Sequence, residues 1–271
     1  MTRVIGIVSG KGGVGKTTLT VNLGVALSKL GKKVIVVDCN LSTPHLSYYL
    51  GAYKYTTTLN DALLGRTDIK NALYHHNNVM FVPASLAMED LVSLDIIKLK
   101  KHIDKLVNED MIDFILLDSA PGLGREAVSV LNSANEILYV TTPSYPHIRD
   151  VVRCADVVKE FKKHQLGIVL NMTDSRYDLP TKDIEAVTRL PVLGKIPYDK
   201  SVMHSLHARK PVVKHRPYSA ASINFMKIAA ALVKEEYTPP KSRRFYAMYD
   251  KLRAAILPHK SKMTDFVEEG F

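Results

Sequence analysis

The sequence predicts an α/β fold built on a doubly wound, mostly parallel β-sheet with helices on both faces. Apolar β-branched runs alternate along the chain with stretches of helical periodicity, which is the pattern of βαβ units. Runs such as VIVVD and FILLD are apolar throughout, without the alternation of a strand that faces water on one side. Continuous apolar strands indicate burial on both faces, and therefore a parallel sheet between two layers of helices.

The individual elements follow from these patterns in chain order. Strands are predicted where short runs are richest in Val, Ile and Leu. These runs are 3–9, 33–38, 79–82, 112–118, 136–141, 166–171 and 192–196. Helices are predicted between them, where apolar residues recur at helical spacing. These stretches are 16–29, 88–107, 124–133, 147–163, 181–189 and 219–236.

The length of 271 residues suits one large domain, or one domain with an appendage. The first break in composition is Thr238-Pro239-Pro240, where proline ends the preceding helix. We therefore expect a domain over residues 1–237 and a C-terminal tail over residues 238–271. Only two cysteines occur, and they do not form a CxxC pair, which fits a reducing cytosol. No apolar run in the sequence has the length of a membrane span.

The most informative motif is the glycine-rich segment GKGGVGKTT, which follows the first apolar strand and precedes a helix. It matches GxxxxGK[ST], a phosphate-binding loop in which glycines let successive N–H groups point at one anion. The Lys16 ammonium can reach the β- and γ-phosphates, and the Thr17 hydroxyl can ligate Mg²⁺. The predicted nucleotide-binding residues here are Gly10, Lys11, Gly12, Gly13, Val14, Gly15, Lys16, Thr17 and Thr18.

The strand FILLD ends in Asp118, at the sheet edge where parallel α/β folds bind their ligands. An acid in this position is the Walker-B arrangement, which holds Mg²⁺ through a water. Thr17 and Asp118 are therefore the predicted metal residues. Gly122, four residues later, can offer its N–H to the γ-phosphate and move when that phosphate leaves.

A second lysine, Lys11, lies at the front of the loop, where a simple phosphate cradle does not need one. KGGVGKTT resembles the deviant P-loop of the MinD/ParA superfamily of ATPases, and the resemblance covers roughly residues 1–236. It is strongest for archaeal MinD-like members. Three further segments carry it: VPASLAMEDL, IRDVVRCADVVKEF with its Arg149-Asp150 pair, and KIPYDKSVMHSLHARKPVV.

The resemblance implies a P-loop NTPase fold, ATP/ADP and Mg²⁺ as ligands, and a homodimer with ATP at its interface. It implies that Lys11 reaches the nucleotide bound by the partner subunit, where a cation can stabilise developing phosphoryl charge. The implied function is an ATPase that acts as an ATP-dependent dimerisation switch for spatial positioning, as in cell division. A protein activator or effector is an expected partner, whereas the missing CxxC argues against the superfamily's iron–sulfur carriers.

The strand VIVVD ends in Asp38-Cys39-Asn40, where the resembled family usually carries aspartate at the first and third positions. The third aspartate orients the attacking water, and an amide can accept a hydrogen bond from water but cannot take its proton. We therefore expect slow hydrolysis and a long-lived ATP dimer, or a nucleotide-dependent scaffold with little hydrolysis. The alternative is that Asn40 is a surface asparagine in a turn. The predicted catalytic residues are Lys11, Lys16, Asp38 and Asn40.

The base-binding residues are also predicted by the resemblance. The strand GIVLN ends in Asn171, and an asparagine at this strand end recognises adenine in the family. A side-chain amide can donate to and accept from the adenine edges, and the guanine-specifying NKxD pattern is absent. Pro197 and Tyr198 lie where the family lines its base pocket. The alternative for Asn171 is a strand-end cap.

The net charge of +10 and the pI of about 9.4 favour an anionic partner, either membrane or nucleic acid. Residues 243–257, RRFYAMYDKLRAAIL, form a basic amphipathic pattern, and bacterial family members end in a membrane-targeting helix. We expect a cytoplasmic protein that binds an anionic membrane peripherally, at its inner face. The same pattern also suits packing on protein. DNA is the other candidate, bound through Arg209, Lys210, Lys214 and Arg216.

Overall fold

The computed structural model describes residues 1–87, 95–109, 111–174 and 176–241, together with Phe245 and Met248. These residues form a single eight-stranded sheet flanked by helices. The strands are β1 (Arg3–Val8), β2 (Val34–Cys39), β3 (Tyr74–His76), β4 (Val79–Val82), β5 (Phe114–Ser119), β6 (Glu136–Thr141), β7 (His164–Thr173) and β8 (Val192–Pro197).

Ten α-helices connect and flank the described strands. They are α1 (Lys16–Lys29), α2 (Leu46–Leu50), α3 (Leu59–Leu63), α4 (Leu99–Val107), α5 (Arg125–Ser133), α6 (Tyr145–Glu160), α7 (Thr181–Thr188), α8 (Lys200–His207), α9 (Val212–His215) and α10 (Ala220–Leu232). Short 3₁₀ helices cover Ile69–Ala72 and Ile96–Lys98.

The strand order is β3-β4-β2-β5-β1-β6-β7-β8, and every neighbouring pair is parallel except β3 and β4. β1 therefore lies inside the sheet, with β5 on one side and β6 on the other. Strands β2 to β5 lie on one side of β1, and strands β6 to β8 lie on the other. Such a topological switch point opens a crevice at the carboxyl ends of the strands, and the glycine loop after β1 lies there.

Apolar side chains from both sheet faces form two cores. One core joins the sheet to α1, α2, α9 and α10, and the other joins it to α3, α4, α5, α6 and α7. The strands at the centre are buried on both faces, as the continuous apolar runs predicted; all six residues of β2 are buried. The predicted fold class, a doubly wound and mostly parallel sheet, is confirmed.

The structure corrects several predicted elements. The predicted helix 88–107 is wrong over residues 95–98, where a 3₁₀ turn precedes α4, and residues 88–94 lie outside the described part. Strand β3 was not predicted, because its Tyr-His-His sequence carries no apolar run. The short helices α2, α3, α8 and α9 were also missed.

The division of the chain at residue 237 stays a prediction, as does the amphipathic tail. Of the predicted tail helix 243–257, the structure describes only Phe245 and Met248, and both side chains are exposed. Within the described part of the chain, no helix combines the length and apolar content that crossing a membrane needs.

Candidate nucleotide site

The loop between β1 and α1 depends on two glycines with left-handed backbone angles. Gly13 has a φ of +81° and Gly15 a φ of +93°, a region that side chains with a Cβ rarely adopt. At Gly15 the space is closed as well, because a Cβ would lie 2.2 Å from Asn171 Nδ2. No atom lies within 4 Å of a Cβ at Gly13, so the loop is open to a ligand at that point.

Lys16, the first residue of α1, is turned into the protein rather than toward solvent. Its side chain is buried, and Nζ donates a hydrogen bond of 2.8 Å to Ser9 Oγ. Ser9 Oγ in turn donates to the Lys11 carbonyl at 2.7 Å, so the ends of the loop are tied together. Burial lowers the pKa of Lys16, and the nearby Asp118 charge opposes that shift. The ammonium is therefore held in place, with few water partners, at the base of the loop.

Two buried carboxyl groups lie side by side next to this lysine. Asp38 on β2 and Asp118 on β5 are paired in the parallel register, and each is 1% exposed. Asp118 accepts hydrogen bonds from Thr17 Oγ1 at 2.6 Å and Thr20 Oγ1 at 3.0 Å. Asp38 accepts the N–H groups of Leu46 at 3.0 Å and Asn40 at 3.2 Å.

Burial dominates the acid–base properties of both carboxyl groups. Desolvation raises the pKa of Asp118 to about 6, although the bonds from Thr17 and Thr20 and the Lys16 charge act in the opposite direction. Desolvation also raises the pKa of Asp38 well above its usual range, and the charge of Asp118 adds to the shift. Two like charges on neighbouring strands disfavour joint ionisation, which is why the charge of Asp118 raises the pKa of Asp38.

The donor set fits a magnesium ion. Mg²⁺ prefers carboxylate and hydroxyl oxygens, and the Thr17 hydroxyl and the Asp118 carboxylate already lie within hydrogen-bond distance of each other. A divalent cation beside these groups would also offset the repulsion between Asp38 and Asp118. The residues predicted as metal ligands are thus brought together, with Asp38 behind them.

Lys11 has a different environment from Lys16. It is exposed, and its backbone carbonyl is used by Ser9, but no hydrogen bond or ion pair holds its ammonium among the described residues. The two lysines of the loop are therefore distinct in structure. One is buried within the subunit, and the other is free to contact a group outside it.

Asn40 fits both interpretations of the sequence, since it closes a turn and also lies at the candidate site. Its side chain closes a turn, because Nδ2 donates to the Thr43 carbonyl at 2.8 Å and Thr43 Oγ1 donates to Oδ1 at 3.1 Å. The same residue lines a cavity whose wall also includes Lys16 and Thr17. It is a turn asparagine held at the edge of the candidate site.

The predicted base-binding residues line one cavity with the glycine loop. The cavity has a volume of about 380 Å³ and its lining includes Thr17, Thr18, Asn171, Pro197 and Tyr198. That volume suits a small-molecule ligand. The lining also includes Met203 and Leu206 of α8, Pro211 just before α9, and Val212 of α9.

Asn171 does more than line this cavity. It is 5% exposed, and its Nδ2 donates to the Val14 carbonyl at 2.8 Å, which fixes the glycine loop against the end of β7. The amide oxygen is left to accept from a ligand. Gly122 is also engaged, since its N–H donates to the Ser9 carbonyl at 3.0 Å. A phosphate could use that N–H only if this bond were exchanged.

Sequence reasoning missed three residues that shape the loop. Ser9 joins Lys16 to the loop, and Thr20 supports Asp118. Thr20 could have been found, because it lies four residues after Lys16 and therefore on the same face of α1. Asp150 packs against Gly10, where a Cβ would lie 2.4 Å from the Asp150 Cβ, and no local pattern predicts that contact.

The loop from β1 into α1, with its buried lysine and the acid at the end of β5, defines a P-loop NTPase. The ParA family model, described as NUBPL iron-transfer P-loop NTPase, matches residues 1–233. The chain therefore belongs to the ParA/MinD family of P-loop NTPases, whose members are generally ATPases. This confirms the resemblance noted in the sequence.

Individual relatives agree with this assignment. An uncharacterised ATP-binding protein of Methanocaldococcus jannaschii is 33% identical over 239 residues, covering 88% of this chain and 90% of its own. Septum site-determining protein MinD of Pyrococcus horikoshii, solved with Mg-ADP, has a TM-score of 0.83 at 36% identity, covering 86% of this chain and 97% of that one. MinD in the Aquifex aeolicus MinC:MinD complex has a TM-score of 0.77 at 28% identity, covering 89% and 99%.

The raised pKa of Asp118 predicts how stability depends on pH in the nucleotide- and magnesium-free protein. Between about pH 4 and pH 6, the folded protein holds a proton that the unfolded chain releases, so the free energy of unfolding falls as pH rises. Asp118→Asn should remove this contribution, which is about 3 kcal/mol. Urea unfolding at several pH values measures it.

Thr20→Val provides the matched control, because it removes a hydrogen bond that favours the charged form of Asp118. In this variant the free energy of unfolding should go on falling to a higher pH than in the wild type, because the pKa of Asp118 is raised further. Parallel pH profiles for the wild type and Asp118→Asn would show that burial does not perturb Asp118.

Proposed function

We propose that this protein is a MinD-like ATPase that acts as an ATP-dependent dimerisation switch for spatial positioning, in cell division or a related process. ATP and ADP are its nucleotides and Mg²⁺ is its metal ion. The proposal rests on the different environments of the two lysines in the glycine loop. Lys16 is buried and bonded within the subunit, whereas Lys11 is exposed with no partner for its ammonium among the described residues.

The cavity of about 380 Å³ supports nucleotide binding. The glycine loop would cradle the phosphates with its N–H groups and with Lys16, and the N-terminal end of α1 adds a favourable dipole. Thr17 and Asp118 would hold Mg²⁺, which when bound neutralises phosphate charge. Asn171 would accept from the adenine amino group through its free oxygen, with Pro197 and Tyr198 beside the base.

A homodimer follows from the position of Lys11. An exposed lysine at the front of the loop can reach phosphates bound by a second copy, and in that position it acts as an arginine finger does. The two subunits would then enclose the nucleotides between them. The Aquifex aeolicus relative bound to MinC supports the further proposal that a protein effector recognises this family's fold.

Slow hydrolysis is proposed from the chemistry of Asn40. The amide is held in its turn by Thr43 and can accept a hydrogen bond from water, but it cannot act as a base. Asp38, the nearest carboxyl group along the chain, is buried and accepts two backbone N–H groups. The ATP-bound state would therefore be long-lived.

Membrane attachment is proposed for residues 243–257, which would place the protein in the cytoplasm, peripherally bound at the inner face of the cell membrane. Two tails per dimer would bind an anionic surface by avidity where one is too weak. Two residues of the basic stretch proposed to bind DNA already make contacts within the subunit. Arg209 lies over the Tyr53 ring at 5.0 Å, and Lys214 donates to Asn77 at 2.6 Å. Membrane is therefore favoured over DNA.

The role of Lys11 can be tested with Lys11→Ala. Because no described residue pairs with the Lys11 ammonium, the variant should fold and bind ADP as the wild type does. It should lose the ATP-dependent dimer and about 10³-fold of the hydrolysis rate. Light scattering after gel filtration, with ATP and with ADP, measures the oligomer.

Lys33→Ala is the control, since Lys33 is an exposed lysine at the opposite end of the sheet, just before β2. It should dimerise with ATP as the wild type does. If Lys11→Ala still forms the ATP dimer, the proposed contact with the partner's nucleotide is wrong.

Asn40→Asp tests the origin of slow turnover. A carboxylate in this position can orient and deprotonate water, so the single-turnover rate should rise by about tenfold or more. Asn40→Asp loses only the bond donated by Nδ2, because a carboxylate oxygen still accepts from Thr43 Oγ1. Asn40→Ala loses both turn hydrogen bonds and gains no carboxylate, so it should not be faster than the wild type. A rate for Asn40→Asp equal to that of the wild type would mean that Asn40 is not limiting.

The tail is tested by co-sedimentation with vesicles that contain phosphatidylglycerol, with duplex DNA as the second arm. The ATP form should bind the vesicles, and removal of residues 241–271 should abolish binding, since each basic residue near the surface contributes about 1 kcal/mol. Vesicles of phosphatidylcholine alone are the control. Equal vesicle binding without the tail contradicts the membrane proposal, and salt-sensitive DNA binding without it would favour the DNA alternative.

A further inference from the structure

A second cavity lies on the opposite face of the sheet from α1. Its volume is about 350 Å³, and it opens between the end of α3 and the side of α4. Its apolar wall comes from Ala62, Leu63 and Leu64, and Gly65 with a φ of +74° turns the chain beside it. None of the residues that line it also lines the nucleotide cavity.

The other wall of this cavity is cationic. Lys101, His102 and Lys105 line it, and their spacing places them on one face of α4. Lys98, the last residue of the preceding 3₁₀ helix, lines it as well. Like charges at this spacing repel one another, and cations near the first turn also oppose the helix dipole. The arrangement has an electrostatic cost that an anion in the cavity would offset.

Only part of this charge is neutralised by the protein itself. Lys98 pairs with Asp95 at 3.3 Å, and Lys105 pairs with Asp68. Lys101 is exposed and has no ion pair among the described residues. The cavity therefore keeps an excess positive charge at Lys101, in the middle of the row.

His102 adds a buried polar group to the same wall. It is 8% exposed, and its Nδ1 is enclosed without a hydrogen-bond partner. Burial lowers the pKa of His102, with Lys105 as the next cause, so the ring is neutral near pH 7. Either ring nitrogen of a neutral imidazole can carry the proton. With the proton on Nδ1, this enclosed atom is a donor that lacks an acceptor, and a phosphate oxygen in the cavity would supply one.

We propose that this cavity is a second anion site, which binds the phosphate group of a small phosphomonoester outside the nucleotide site. A tetrahedral phosphate has acceptor oxygens pointing in several directions, and it can take hydrogen bonds from Lys101, a neighbouring lysine and His102 together. A carboxylate presents only two oxygens in one plane. The organic part of the ligand would pack on Leu63 and Leu64, which a free inorganic ion leaves uncovered.

The site can be followed through the ring signals of His102. The full-length protein, labelled with ¹⁵N at histidine and saturated with Mg-ADP, is titrated with inorganic phosphate and with glycerol 3-phosphate. Sodium chloride holds the ionic strength constant, and acetate is the carboxylate arm. His102→Gln identifies the signal. Both phosphate ligands should shift it saturably, glycerol 3-phosphate should bind at least as tightly as phosphate, and acetate should not saturate.

Two neighbouring lysines give a matched pair of variants. Lys101→Gln should weaken phosphate binding by about tenfold, since it removes a charge-assisted hydrogen bond. Lys100→Gln should leave binding unchanged, because Lys100 pairs with Asp104 and does not line the cavity. Both lysines are exposed, so neither change should disturb folding.

Three results would overturn the proposal. The His102 signal would move no further with phosphate than with chloride, or acetate would bind as tightly as phosphate, or the two lysine variants would weaken binding equally. Each result is read from His102 in protein whose nucleotide site is already filled, so none depends on ATP hydrolysis.

Discussion

The site depends on one electrostatic constraint, the burial of two carboxyl groups next to each other. β2 and β5 are parallel neighbours in register, so Asp38 and Asp118 must lie side by side at their carboxyl ends. Both side chains are buried, and an unpaired buried charge is costly. The fold offsets this cost with hydroxyl groups from α1, two backbone N–H groups and the buried cation of Lys16.

That constraint positions the rest of the loop. α1 must begin close enough to β5 for Thr17 and Thr20 to reach Asp118, which brings Lys16 down to Ser9. The loop then has to turn sharply at Gly15, where Asn171 closes the space behind it. Lys16 is thereby held in the interior, whereas Lys11 is exposed at the front of the loop. The two lysines of one short motif thus lie in two different environments.

Most of the sheet could be predicted from sequence because its strands are buried on both faces, which leaves a continuous apolar run such as that of β2. β3 could not, because it is an edge strand that exists only through its pairing with β4. The glycine loop and Asp118 carry local patterns of their own. The bond from Asn171 to Val14 and the contact of Asp150 with Gly10 depend on tertiary packing between distant elements.

We propose that ATP joins two copies of this chain, with Lys11 of each copy placed on the nucleotide of the other. Native mass spectrometry of the wild-type protein with Mg²⁺ and nucleotide measures the stoichiometry of this complex. With ATP, we expect a complex of two chains and two ATP molecules, and with ADP we expect single chains with one nucleotide each. Single chains that each carry one ATP, at concentrations where the site is saturated, would contradict it.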